Sequence, residues 1–257
     1  MAFALTWLPE VLLGAGLKVA EVDGWKTRGR SEMGQVKGVI CHHTVGNKNG
    51  NMPSLNVLIN GRAGLPGPLS QLGLGRDGTY YVIAAGRCNH AGRGNWQGFT
   101  SGNMNFFGIE AENTGLSNDP SPEVQLDAYA RGVAAILKKI RANSIMCAEH
   151  KEYALPMGRK PDPSFDMTAF RMKVAAIMSG TAPEPSIIPA IDGGGKKTLR
   201  RGSSGDDVKI LQRAFGVADD GVFGADTAAA VRQFQRNRGL VADGIVGPRT
   251  WAAISSP

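Results

Sequence analysis

Apolar positions along this chain change period several times, and each change predicts an element. Leu8, Val11, Leu12, Ala15 and Val19 recur at helical spacing with Gly24 beyond them as a stop, which suits a helix docked on a larger body. From Val39 to His43 the run is β-branched and extended, and Gly46, Asn47, Asn49 and Gly50 end it with turn residues. Arg76-Asp77-Gly78 reads as a tight turn into a second strand, Thr79 to Ile83. Phe106 to Glu112 is a third, whose alternation sets Glu110 and Glu112 on one face and Ile109 and Ala111 on the other.

Ser121, Pro122 and Glu123 supply a cap, a proline at the first helical position and an acid in the first turn. Leu126, Tyr129, Val133, Ile136, Leu137 and Ile140 then repeat at helical spacing, with Lys138, Lys139 and Arg141 at the negative end of the dipole. Ser144 to His150 predicts a fourth strand, again ending on a histidine. A mixed β-sheet with packed helices, an α/β domain, is the simplest architecture.

Between 179 and 197 periodicity stops, and Pro183, Pro185, Pro189 and Gly193 to Gly195 mark a linker. Beyond it Asp220-Gly-Val-Phe-Gly-Ala-Asp-Thr recurs as Asp243-Gly-Ile-Val-Gly-Pro-Arg-Thr, each Asp-Gly turn opening a helix. Val208, Leu211 and Phe215 mark one helix, and Thr227, Val231 and Phe234 mark another that ends at Gly239. The expected division is 1–30, a helical segment packing on the first domain; 31–178, the α/β domain; 179–197, the linker; and 198–257, a small all-α three-helix domain. A core that small is marginal, which favours a binding module over an enzyme.

Composition adds little to this picture. A net charge of +7 is spread along the chain without a basic tail or lysine run, so it favours a diffuse anionic surface over nucleic acid. Cys41, Cys88 and Cys147 are odd in number, and buried free thiols are expected rather than a disulfide framework. The apolar N-terminus lacks a basic start and is interrupted by Pro9 and Glu10, so it does not read as an export signal. No stretch is long and apolar enough to span a membrane.

The chemistry rests on four histidines, His42, His43, His90 and His150. A hydrolytic zinc site needs three nitrogen, sulfur or carboxylate ligands and an open position for water. His42, His150 and Asp162, the last stiffened by a proline on each side, are candidates. Cys41 and His43 share the opposite strand face from His42, and alternation alone does not choose between the faces.

The strand ending in His42-His43-Thr44, Arg76-Asp77-Gly78, His90-Ala91-Gly92, Gly108-Ile109-Glu110, His150 and Lys160-Pro161-Asp162 occur in one order. On these, residues 31 to 178 resemble the zinc-dependent N-acetylmuramoyl-L-alanine amidases of phage endolysins, relatives of bacterial recycling amidases and animal peptidoglycan recognition proteins. The resemblance carries one Zn2+ per chain onto His42, His150 and Asp162, the last a cysteine in other members. It carries the general base onto Glu110, a transition-state lysine onto Lys160, and the substrate groove onto His90, Arg93 and Trp96. It departs at Ser70-Gln71, where some relatives hold an aromatic hydroxyl or imidazole, and at Asn89, often tryptophan.

The C-terminal repeat resembles the three-helix peptidoglycan-binding domain of wall hydrolases, through Gly205-Asp206-Asp207-Val208, Leu211-Gln212, Asp220-Gly221, Gly224, Thr227, Phe234-Gln235 and Asp243-Gly244-Ile245-Val246-Gly247. Together the resemblances imply a monomeric endolysin. Its partner is bacterial peptidoglycan, with neither nucleic acid nor membrane; it is made in a host cytoplasm and reaches the wall through a separate pore. The alternative is a non-catalytic peptidoglycan recognition protein.

Overall fold

Six successive buried residues, Gly38–His43, form a strand covered on both faces, which is why its sequence reads as a run rather than an alternation. The structure, a computed structural model, describes residues 1–182, 196–240 and 242–255. The chain forms two units, Met1–Leu17 with Gly24–Pro185 and Lys18–Asp23 with Ser186–Pro257. Residues 183–195 of the expected linker lie outside the described residues, and its first residue, Ser179, still belongs to a helix.

In chain order the strands are β1 (Lys18–Glu21), β2 (Gly38–His43), β3 (Gly61–Arg62), β4 (Leu65–Pro66), β5 (Leu72–Leu74), β6 (Thr79–Val82), β7 (Phe106–Ala111) and β8 (Cys147–Glu149). The helices are α1 (Leu8–Gly14), α2 (Leu55–Asn60), α3 (Gly102–Asn105), α4 (Glu123–Lys139), α5 (His150–Tyr153), α6 (Met167–Ser179), α7 (Asp206–Phe215), α8 (Ala225–Asn237) and α9 (Pro248–Ser255). In the first unit five strands run β6-β5-β7-β2-β8, with β5, β7, β2 and β8 parallel and β6 antiparallel.

Helix α4 covers one face of this sheet. From it the Tyr129 hydroxyl accepts the His42 backbone N–H at 2.9 Å and donates to the Ile109 carbonyl at 2.7 Å, tying β2 to β7. Tyr80 donates to the Ala128 carbonyl at 3.1 Å, an approach that Gly132 permits because a Cβ there would overlap the Tyr80 hydroxyl.

Four sequence expectations change. Gly16, at φ 73°, stands just past α1, and Val19 falls in β1 instead of on the helix. Residues 18–23 group with the second unit, so only part of segment 1–30 belongs with the α/β unit. Helix α4 begins one residue late, with Pro122 as its cap. The predicted strand 144–150 shrinks to β8, because Glu149 and Glu152 form a reciprocal capping box that makes His150 the first residue of α5.

In the second unit Leu199, Val208, Leu211, Phe223, Ala228, Val231, Val246 and Trp251 make one core. The sequence repeat extends to its hydrogen bonds. Gln212 Nε2 reaches Asp220 Oδ1, the Val222 carbonyl and Thr227 Oγ1, while its Oε1 accepts the Gly221 N–H. Gln235 repeats the pattern with Asp243, Ile245, Thr250 and Gly244. Both Asp-Gly turns place glycine in the left-handed region, at φ 74° and 75°.

Candidate metal centre

Register brings the first two groups together: His42 on β2 pairs with Glu110 on the adjacent parallel β7, so both project from one face. Strand β8, on the other side of β2, leads directly to His150. Asp162 arrives from the loop after α5, where its carbonyl accepts the Lys151 N–H at 2.9 Å. His42 Nδ1 lies 2.9 Å from His150 Nδ1 and 3.2 Å from Asp162 Oδ2, and His150 Nδ1 lies 2.9 Å from the same oxygen. All three residues are buried and their ligand atoms lie within 4.8 Å of one another.

The outer hydrogen bonds determine which nitrogens face inward. His150 Nε2 is 3.1 Å from the Ala91 carbonyl, and His90 Nε2 is 3.2 Å from the Phe106 carbonyl. A carbonyl only accepts, so both Nε2 atoms carry their protons. His90 Nδ1 is then an acceptor, and His42 Nε2, 3.0 Å away, donates to it. His42 and His150 therefore present bare Nδ1 lone pairs to each other and to a carboxylate.

Three acceptors converging without a proton repel one another, and a divalent cation resolves the conflict. Two imidazoles and one carboxylate with outer partners fixing the rings fit a zinc-type site, with a coordination position left for water. The electrostatics agree. Burial, reinforced by His150, lowers His42 to about 4 and keeps it a neutral ligand. Burial likewise holds His90 well below its ordinary value, aided by His42 and His150. Burial opposes ionisation of Asp162, and its carboxyl is held far below its usual range only where a proton on His150 or His42 Nδ1, or a cation in that proton's place, faces it.

Glu110 sits beside this group, its side chain 15% exposed and Oε1 4.0 Å from His42 Nδ1. Its Oε2 is buried and has no hydrogen-bond partner among the described residues. Burial, then the charge of Asp162, pushes the Glu110 carboxyl up to about 8, while the positive charge of Lys160 opposes. Glu112, on the same face, is engaged: Thr44 and Ser54 hydroxyls donate to Oε1 at 2.7 and 3.0 Å, and the Ser54 N–H to Oε2 at 2.9 Å. Lys160 is half-buried on the Asp162 loop.

Other expected site residues are placed differently. His90 is buried against His42 and Phe106, and both its ring nitrogens are used, Nδ1 by His42 and Nε2 by the Phe106 carbonyl. Trp96 spends its indole N–H on the Ile145 carbonyl at 2.8 Å and packs against Ile40, Ala91, Phe106, Ala148 and Tyr153. Arg93 is exposed. Cys41 faces Cys147, sulfur to sulfur 3.5 Å, and His43 lies outside the three-residue group. Gln71 is a structural brace, accepting the Gly108 N–H at 2.8 Å.

The sequence did not single out Tyr129 or the Ala91 and Phe106 carbonyls, since a helical stripe and backbone atoms carry no motif. Replacing His90 with leucine removes the acceptor for His42 Nε2–H. Metal affinity is expected to fall about 10–100-fold, measured by competition with a chromophoric chelator; unchanged affinity would contradict the orienting role.

A family model described as N-acetylmuramoyl-L-alanine amidase matches residues 32–165, and one for a peptidoglycan binding domain matches residues 204–254. Among solved structures, a Burkholderia AP3 phage endolysin is 46% identical over 23% of this chain and 25% of its own, TM-score 0.23. A fused Zn-dependent amidase/peptidase/peptidoglycan-binding protein of Clostridium acetobutylicum is 35% identical over 23% of this chain and 29% of its own, TM-score 0.23. The aligned part thus spans under a third of the length of either. An endolysin N-acetylmuramoyl-L-alanine amidase of Clostridium intestinale is 21% identical over 61% of this chain and 95% of its own, TM-score 0.44. No curated protein matches.

Proposed function

This chain belongs to the N-acetylmuramoyl-L-alanine amidase family, and from that premise we propose that it hydrolyses the amide between N-acetylmuramic acid and L-alanine in bacterial peptidoglycan. The observation that carries the reading is the convergence of the His42 and His150 Nδ1 atoms with the Asp162 carboxyl, beside a Glu110 oxygen that has no hydrogen-bond partner among the described residues. Zinc held by these three residues would lower the pKa of a water and polarise the scissile carbonyl.

Glu110 accepts the proton of the attacking water and passes it to the departing alanine nitrogen, so one carboxyl serves as base and then acid. Lys160 places positive charge beside the oxyanion of the tetrahedral intermediate. His90 keeps the His42 proton on Nε2, and Ala91 does the same for His150. Arg93 remains the exposed candidate for substrate contact. The second unit serves as a wall anchor, raising the local concentration of an insoluble substrate. The setting this fits is phage-directed lysis, with a separate pore giving access to the wall.

Purified full-length chain incubated with cell walls tests the reading. L-alanine amino groups are expected to appear, to stop appearing on chelation and to return with added zinc. Wall binding with no amine release would support the recognition-protein alternative.

A further inference from the structure

As a tight turn, Arg76-Asp77-Gly78 needs only its last two residues: Asp77 accepts the Thr79 N–H and hydroxyl, each at 2.9 Å, and Gly78 stands at φ 79°. The Arg76 guanidinium has a separate task. Its Nη1 and Nη2 donate to the two carboxylate oxygens of Asp119, both at 2.9 Å, and Nη2 also donates to the Asn47 carbonyl at 3.2 Å. Asn47 lies on the segment leaving β2 and Asp119 on the segment leaving β7, the strands that carry His42 and Glu110.

Because β2 and β7 are adjacent and parallel, both segments leave the same sheet edge beside the metal centre. They are bonded to each other as well: Gly46 N–H donates to the Asn113 carbonyl at 3.1 Å and Lys48 Nζ to the Asn118 carbonyl at 2.8 Å. Each displays one large apolar side chain, Val45 at 65% exposure and Leu116 at 63%. Val45 is held at φ 52°, in the left-handed region that a β-branched residue rarely adopts. Surrounding bonds must hold it there.

We propose that Arg76 is a positioning residue of the amidase site: through Asn47 and Asp119 it holds Val45 and Leu116 as an apolar wall against the methyl-bearing lactyl–alanine junction of the substrate. The inference rests on the hydrolase reading. A planar guanidinium grips both Asp119 oxygens and Asn47 at once, and a lysine cannot.

The test compares wild type, Arg76→Lys and the pair Val45→Gly with Leu116→Ala, all full-length and zinc-loaded, on soluble muramoyl-peptide fragments. Arg76→Lys is expected to raise KM about tenfold, the scale of a lost apolar contact, with kcat within about twofold and zinc stoichiometry unchanged. The pair should show the same split although Arg76 and Asp119 are intact. A lower melting temperature with unchanged KM in Arg76→Lys overturns the proposal, as does a KM rise in that variant but not in the pair. If wild type fails to turn the fragments over, the hydrolase reading falls by itself. Fragment affinity measured by calorimetry on the same chains then decides the wall: weaker binding in both variants supports it, and equal binding ends it.

Discussion

Glu110→Gln leaves the metal bound and lowers hydrolysis by about 10²–10⁴-fold, the range over which a positioned general base contributes. The substitution keeps the shape of a side chain seated in β7, but an amide cannot accept and return the proton of water. No metal ligand is removed, since the assigned atoms belong to His42, His150 and Asp162. Burial and the charge of Asp162 hold the Glu110 carboxyl near 8, so a divalent cation in the triad shifts it back toward the ionised form a base requires. Elemental analysis alongside amine release from cell walls reads both halves of the expectation. Stoichiometric loss of metal, or an unaltered rate, would remove Glu110 from the role.

Loss is larger when a ligand goes. Asp162→Asn removes the one charged ligand of the three, and His150→Ala removes one of two imidazoles; each is expected to abolish metal binding and, with it, the activated water. The structure also predicts how the metal-free protein responds to acid. His42 and His90 are neutral when folded, with values depressed by burial, His42 to about 4, against about 6.5 for an exposed imidazole. Their contribution to stability is therefore present above about 6.5 and is lost as pH falls toward 4, because the unfolded chain binds those protons first. Thermal melts of chelated wild type between pH 7 and 4 should show this decline. Zinc should raise the melting temperature at pH 7 in wild type and leave Asp162→Asn unmoved. A zinc-dependent shift in that variant would contradict the ligand assignment.

Much of this arrangement is legible in single residues. The β-branched run before His42, the alternation of Glu110 and Glu112, the apolar spacing of α4 and the duplicated Asp-Gly turns are local signals, and each appears as the expected element. Other elements carried weaker signals. Strand β5 is three residues long, too short for its period to register, and α6 follows a Pro-rich segment that reads as loop. His150 looks like a strand end because the Glu149 and Glu152 capping box, which turns the chain into a helix, competes with an apolar run.

By itself the sequence determined which residue types are present for chemistry and which strand or loop presents them, because period and turn residues act over a few neighbours. Only the tertiary structure decided that His42 rather than Cys41 and His43 meets His150 and Asp162, that His90 meets the outer nitrogen of His42, and that Arg76 joins two segments. These outcomes depend on which strands lie side by side and on which carbonyl meets each ring nitrogen, relations between residues far apart in the chain.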